Sequence, residues 1–192
     1  MTPEAQFVQR QRVLIDANVL AYVSVADLLL RLPKRGLLFW LLWSEEILAE
    51  TLRTYTKKFG WKPDAVVRRI DAMRSAFPEA SVSGYEKWVD QCTNDEGDRH
   101  VLAAAIEGQA QVIVTFNYRH FKEADLAPWG IRAIHPKDYL LNLYRHAPQK
   151  VATHLAFLAE KWGKSDRELL EKYARDLPNF AHAVLSDMAK RH

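Results

Sequence analysis

A single cysteine, Cys92, leaves the chain without an internal disulfide framework or a multi-cysteine zinc site, and the thiol reads as structural. No apolar run approaches the roughly 20 residues that a membrane-spanning helix requires. The longest, Gly36 to Trp43, reads as a buried helix or helix entry. No basic stretch at the N-terminus leads into an apolar segment and a small-residue cleavage site, so the expected location is the cytoplasm, with no membrane contact. The seven histidines are scattered, with no pair at a helical metal-binding spacing in a recognisable frame. Any metal is therefore expected to be held by oxygen. No glycine-rich loop follows Val19, which argues against a flavodoxin-like or Rossmann nucleotide site. Internal repeats and low-complexity tracts are absent too.

What is present is an ordinary soluble composition, 48% hydrophobic and 27% charged over 192 residues, enough for one good core with something appended. The net charge of +3 is unevenly spread: residues 1–140 hold 18 Lys+Arg against 18 Asp+Glu, and residues 141–192 hold 9 against 6. Within the neutral part lies a local basic stretch, Arg53, Lys57, Lys58, Lys62, Arg68, Arg69 and Arg74, answered only by Asp64 and Asp71. Such a stretch suits a phosphate backbone and equally suits a solvated helix face.

Residues 13–19 form a short, nearly continuous apolar run that predicts a strand buried on both faces, interrupted by Asp16. The segment 26–43 predicts two helical pieces punctuated by Pro33 and Gly36. Ser44 followed by Glu45 and Glu46 predicts a capped helix over about 44–58. Lys62-Pro63-Asp64 opens another, with Val66, Val67, Ile70 and Met73 as its stripe. A short strand over 80–83 and a helical turn over 85–92 come next. The polar loop 94–98 runs into a helix with Val101, Leu102, Ala105 and Ile106 on one face, and 111–116 and 131–134 read as strands. Strands alternating with helices predict a parallel sheet with helices on both faces. Beyond about residue 140 the pattern is helical alone, with breaks at Gly163 and at Leu177-Pro178. The expected division is 1–140 and a helical extension over 141–192.

In open α/β sheets functional groups gather at the carboxyl ends of strands. Asp16 lies late in the first strand, where a carboxylate is costly to bury unless paired, protonated or metal-bound. A turn-capping role is its plain alternative. Asp98 starts a helix and could simply cap it; Asp95 could be a loop acid; Glu50 alone reads as solvated; Asn117, after Thr115 and Phe116, could simply start a turn.

The ordered combination carries more. Asp16 with Asn18, then Ser44, Leu48 and Glu50, then Asp95 and Asp98 before an alanine-rich helix, then Thr115, Asn117 and Phe121, resembles the PIN-domain family over about residues 12–140. Within it, Asn-Asp-Glu-Gly-Asp-Arg-His-Val-Leu-Ala-Ala-Ala and the helical extension resemble the toxin halves of VapBC-type toxin–antitoxin pairs. The resemblance implies a PIN-like three-layer α/β/α fold and a metal-dependent endoribonuclease that uses magnesium or manganese. In that reading Asp16 and Asp98 ligate the metal directly, and Glu50 holds a water or a second ion. Thr115 and Asn117 would position water or the scissile phosphate, and Asp95 is a further member of the cluster. Arg53, Lys57, Lys58 and Lys62 would guide RNA. An antitoxin and a homodimer are the implied partners. Asn117 stands where many relatives carry an acid, and His120 where relatives often carry Asp. A catalytically weak PIN-fold module that binds RNA or protein is therefore the alternative. A flap-endonuclease relative is disfavoured because the chain is short and lacks a second DNA-clamping unit.

Overall fold

The strand Arg12–Ile15 (β1) forms the middle of the molecule because Val13, Leu14 and Ile15 have no polar atom beyond the backbone and are fully buried. The computed structural model describes residues 11–36 and 38–190; residues 1–10 and 37 of the expected nuclease unit and 191–192 of the tail lie outside the described residues. The first strand is shorter than its apolar run suggests. It ends at Ile15, and Ala17–Leu20 (α1) turn at once into a helical turn whose Val19 and Leu20 are buried.

The helix Val23–Gly36 (α2) carries Pro33 inside its last turn instead of breaking there. The run that follows corrects the expectation of a second helical piece: Trp40–Ser44 is a strand (β2), pairing with β1 in register Val13 to Leu41. A short apolar run fits a doubly buried strand and a buried helix equally well, and only pairing with β1 decides between them. Ser44 then caps Glu45–Arg53 (α3), its hydroxyl accepting from the Ile47 N–H over 3.2 Å. The expected helix to 58 is continuous but widens into a π-helical turn over Thr54–Lys58. There the Thr56 hydroxyl donates back to the Leu52 carbonyl over 3.0 Å, a bond that competes with the regular helical ladder.

Pro63–Ala76 (α4) begins on its proline as expected, with Val66, Ile70 and Met73 buried, whereas Val67 faces solvent. Ser81–Val82 (β3) joins the sheet edge. Arg99–Glu107 (α5) buries His100 to Ala105, and its run of alanines allows close approach to the sheet. Gly108 belongs to the same close packing. A Cβ there would meet Leu42 Cδ1 at 2.9 Å and Val82 Cγ2 at 3.0 Å. Val112–Val114 (β4) and Arg132–Ile134 (β5) complete the sheet, with Glu123–Leu126 (α6) between them.

All five strands are parallel, in the order β3-β2-β1-β4-β5. The chain builds outward from β1 to β3, then returns to the other side of β1. The strand order therefore reverses between β1 and β4, where a crevice opens at the carboxyl ends.

Four helices follow: Pro136–His146 (α7), Pro148–Lys161 (α8), Asp166–Ala174 (α9) and Pro178–Ala189 (α10). Helix α8 packs on α2, and α10 on α7 and α9. Their buried residues, Val151, Leu155, Leu158, Leu169, Tyr173 and Phe180 among them, belong to the same apolar cluster as the strands. Helix α7 runs straight through residue 140. No described helix is long and apolar enough to cross a membrane.

Candidate active site

Asp16 stands one residue beyond β1 and Thr115 one residue beyond β4, so the two sit side by side at the point of strand reversal. Only 3% of Asp16 is exposed. Its Oδ2 accepts from Thr115 Oγ1 and from Asn18 Nδ2, each over 2.6 Å. Asn18 Nδ2 also reaches Thr115 Oγ1 at 3.1 Å, and its Oδ1 accepts from the Phe116 N–H over 3.1 Å. The Thr115 hydroxyl in turn accepts from the Asn117 N–H over 2.9 Å. One carboxylate is thus locked by neutral donors from two strand ends.

Those donors do not cancel its charge. Burial pushes the Asp16 carboxyl up from 3.8 to about 6; the Thr115 hydrogen bond opposes this, and the negative charges of Asp98 and Glu50 add to it. Like charges nearby disfavour the ionised form of a carboxyl.

Asp16, Glu50, Asp98 and Asn117 line a cleft of about 740 Å³, and Arg53, Lys57 and Lys58 line it too. The acids arrive from separate elements: the end of β1, the middle of α3 and the start of α5. Glu50 lies 3.4 Å from His100 Nε2 and 3.5 Å from an Arg53 guanidinium nitrogen. Its contact with His100 holds the Glu50 carboxyl below the usual range although burial opposes this. Burial alone would lower His100, but Glu50, Glu46 and Asp16 outweigh it and the imidazole is raised. Glu50 therefore faces the cleft ionised, next to a histidine that favours its charge.

Of the residues singled out from the sequence, Thr115 is fully buried and its hydroxyl serves Asp16 instead of the cleft. Asp95 lies at the rim, where its Oδ1 accepts from the Gly97 N–H over 3.2 Å. Lys62 precedes α4 and is not among the cleft-lining residues, whereas Arg53, Lys57 and Lys58 are. His120, which stands where relatives often carry Asp, meets the acids: its Nδ1 lies 2.6 Å from Asp98 Oδ2 and 4.0 Å from Asp95 Oδ1. The Asp98 contact raises the His120 imidazole. Asp95, Asp98 and His120 each offer a ligand atom within 4.8 Å of the others, so one nitrogen donor stands among the oxygens.

Sequence reasoning missed His100 as a partner of Glu50. The two are 50 positions apart, and no local pattern joins them. It also undervalued Asn18, whose signal was present as an amide two residues after a strand-end aspartate. Tyr22 and Phe59 line the cleft as well and had no signal of their own.

The profile of the family described as PIN domain matches residues 12–119. The Mycobacterium tuberculosis protein named "Putative ribonuclease VapC50" is 37% identical over 101 residues, which is 51% of this chain. The match spans 60% of that relative's length. No solved structure gives a significant match.

Proposed function

Since the chain belongs to the PIN-domain family, we propose that it is a magnesium- or manganese-dependent endoribonuclease that hydrolyses RNA phosphodiester bonds in the cleft between Asp16 and Lys57. The observation that carries this reading is that Asp16, Glu50 and Asp98 line one cleft together with Arg53, Lys57 and Lys58.

The donor set fits a hard divalent cation. Three carboxylates supply oxygen ligands, and a cation would favour the charged form of Asp16, whose carboxyl is raised first by burial and further by Asp98 and Glu50. Asp16 and Asp98 would hold the ion, with Glu50 beside it. When bound, it supplies Lewis acidity and offsets the charge that builds on the phosphate.

The chain's own residues do the rest. Thr115 and Asn18 fix the Asp16 carboxylate in one orientation, so no reorganisation is needed when substrate arrives. His100 keeps Glu50 ionised at the cleft wall, able to hold a water by accepting its proton in a hydrogen bond. His120 occupies one carboxylate oxygen of Asp98 and orients that group. Asn117 offers a neutral amide in place of a further acid, and Arg53, Lys57 and Lys58 draw the RNA backbone across the opening.

The same reading makes the protein the toxin of a toxin–antitoxin pair, with a cognate antitoxin and a second copy of the chain as partners. The name of the VapC relative and the extension beyond the family match support it. The test is cleavage of a panel of transfer, ribosomal and messenger RNA. Activity with magnesium, its loss with chelator, and a drop of at least about 100-fold in Asp16→Asn and Asp98→Asn are expected. Retained RNA binding with no cleavage under any metal would favour the non-hydrolytic module instead.

A further inference from the structure

Beside the catalytic cleft runs a second groove, of about 510 Å³, and the two share Ala21, Tyr22 and Phe59 in their walls. We propose that this groove is a binding site for single-stranded RNA next to the scissile bond. Phe59, Trp61 and Trp162 stack its bases, and Lys172 and Arg175, both from the helical extension, hold its phosphates. The inference rests on the ribonuclease reading and adds to it a role for the extension.

Two large aromatics stand open here, Phe59 at 45% and Trp61 at 37% exposure. Trp61 is nevertheless held: its ring stacks on that of Tyr55 with centroids 4.7 Å apart, and its backbone N–H donates to the Tyr55 carbonyl over 3.1 Å. A ring fixed on one face and exposed elsewhere can take a base with little loss of side-chain freedom. Both residues follow the π-helical turn, whose extra residue shifts the chain just before it leaves α3 for the groove.

Other lining residues come from the corner between α8 and α9 and from the end of α9. Trp162 caps α8, and Gly163, at φ 62°, ends the helix in a left-handed conformation that other residues adopt only at a cost. Lys172 Nζ lies 4.6 Å from the Trp162 ring centroid, and Arg175 follows α9. This part of the groove is anchored to the nuclease unit. The Tyr173 hydroxyl donates to the Ser24 carbonyl over 2.8 Å, and the Tyr22 hydroxyl donates to Asp176.

Charge decides the class of occupant. No Asp or Glu is among the residues lining this groove, and it adjoins the cleft that Lys57 and Lys58 line. Asp176 answers part of the Arg175 charge at 3.5 Å, but it is not among the lining residues. Aromatic rings interleaved with cations along a continuous groove are what a sequence-tolerant single strand requires. A protein segment would need acids to match the cations.

The test uses the full chain with chelator present, so that binding is read without cleavage. The probe is a fluorescein-labelled single-stranded oligoadenylate of about 12 nucleotides, long enough to occupy both grooves. Lys172→Glu with Arg175→Glu should weaken binding at least about 10-fold and lower the slope of log affinity against log salt by about 1.4. Phe59→Ala and Trp162→Ala should each weaken it by about 5- to 100-fold with the slope unchanged. Arg167→Glu, elsewhere on α9, should do neither. Melting curves report folding, and the charge reversals touch only exposed side chains, so they decide the matter even if Trp162→Ala unfolds. Wild-type affinity and slope in the reversed variant would overturn the proposal and return the groove to a protein segment. A wild-type chain that binds the oligoadenylate but cleaves no RNA with magnesium would sink the nuclease reading and leave the groove's role standing.

Discussion

Thr115 donates its hydroxyl hydrogen to Asp16 Oδ2 across 2.6 Å, joining two residues 99 positions apart at neighbouring strand ends. The bond is buried and its acceptor is a carboxylate, so it belongs among the stronger hydrogen bonds. Thr115→Val keeps the shape of the side chain and removes the donor. It should destabilise the protein by about 1.5–3 kcal/mol where Asp16 is ionised. A melting temperature equal to that of the wild type would show the bond to be dispensable.

Asp16 also sets a pH dependence. Its carboxyl rises from 3.8 to about 6 on folding without metal, so the folded state holds the proton more tightly. That contribution is complete below the unfolded value and is lost as pH rises through about 6. Metal-free Asp16→Asn should therefore be more stable than wild type at about pH 7.5, by on the order of 3 kcal/mol, and the gap should close toward pH 4. Melts across that range in chelator provide the check; a variant less stable than wild type at neutral pH would contradict the burial argument.

Magnesium should restore what the clustered carboxylates cost. At a concentration about 100-fold above its dissociation constant, it should stabilise the wild type by about 2.7 kcal/mol. Asp98→Asn should abolish most of that shift, as should Asp16→Asn. An undiminished shift in both variants would place the ion elsewhere.

Lys57 and Lys58 face the cleft beside Arg53. Replacing both with Glu should weaken RNA binding and flatten its salt dependence by about 2 in slope. Unaltered binding would return them to an ordinary solvated helix face.

The extension should not unfold separately. Leu158 is fully buried in the same cluster as the strands. Leu158→Ala should cost about 2–5 kcal/mol and lower the midpoint of one cooperative transition. Two resolved transitions would instead mean that residues 141–192 fold on their own.

Local chemistry sufficed for much of this protein. The cap at Ser44, the proline start of α4, the alanine-rich α5 and the breaks at Gly163 and Pro178 depend on residues close in sequence, and all are legible there. The order Asp16, Glu50, Asp98, Thr115 was legible for the same reason. The strand identity of Trp40–Ser44 was not, because an apolar run becomes a strand or a helix according to what it packs against, and its partner is β1. Nor could the sequence say that Thr115 bonds Asp16, that His100 stands at Glu50, or that Trp162 and Lys172 reach the groove beside Phe59. Those contacts exist only once the reversal of strand order between β1 and β4 brings distant side chains to one edge, and only once α8 has docked on α2.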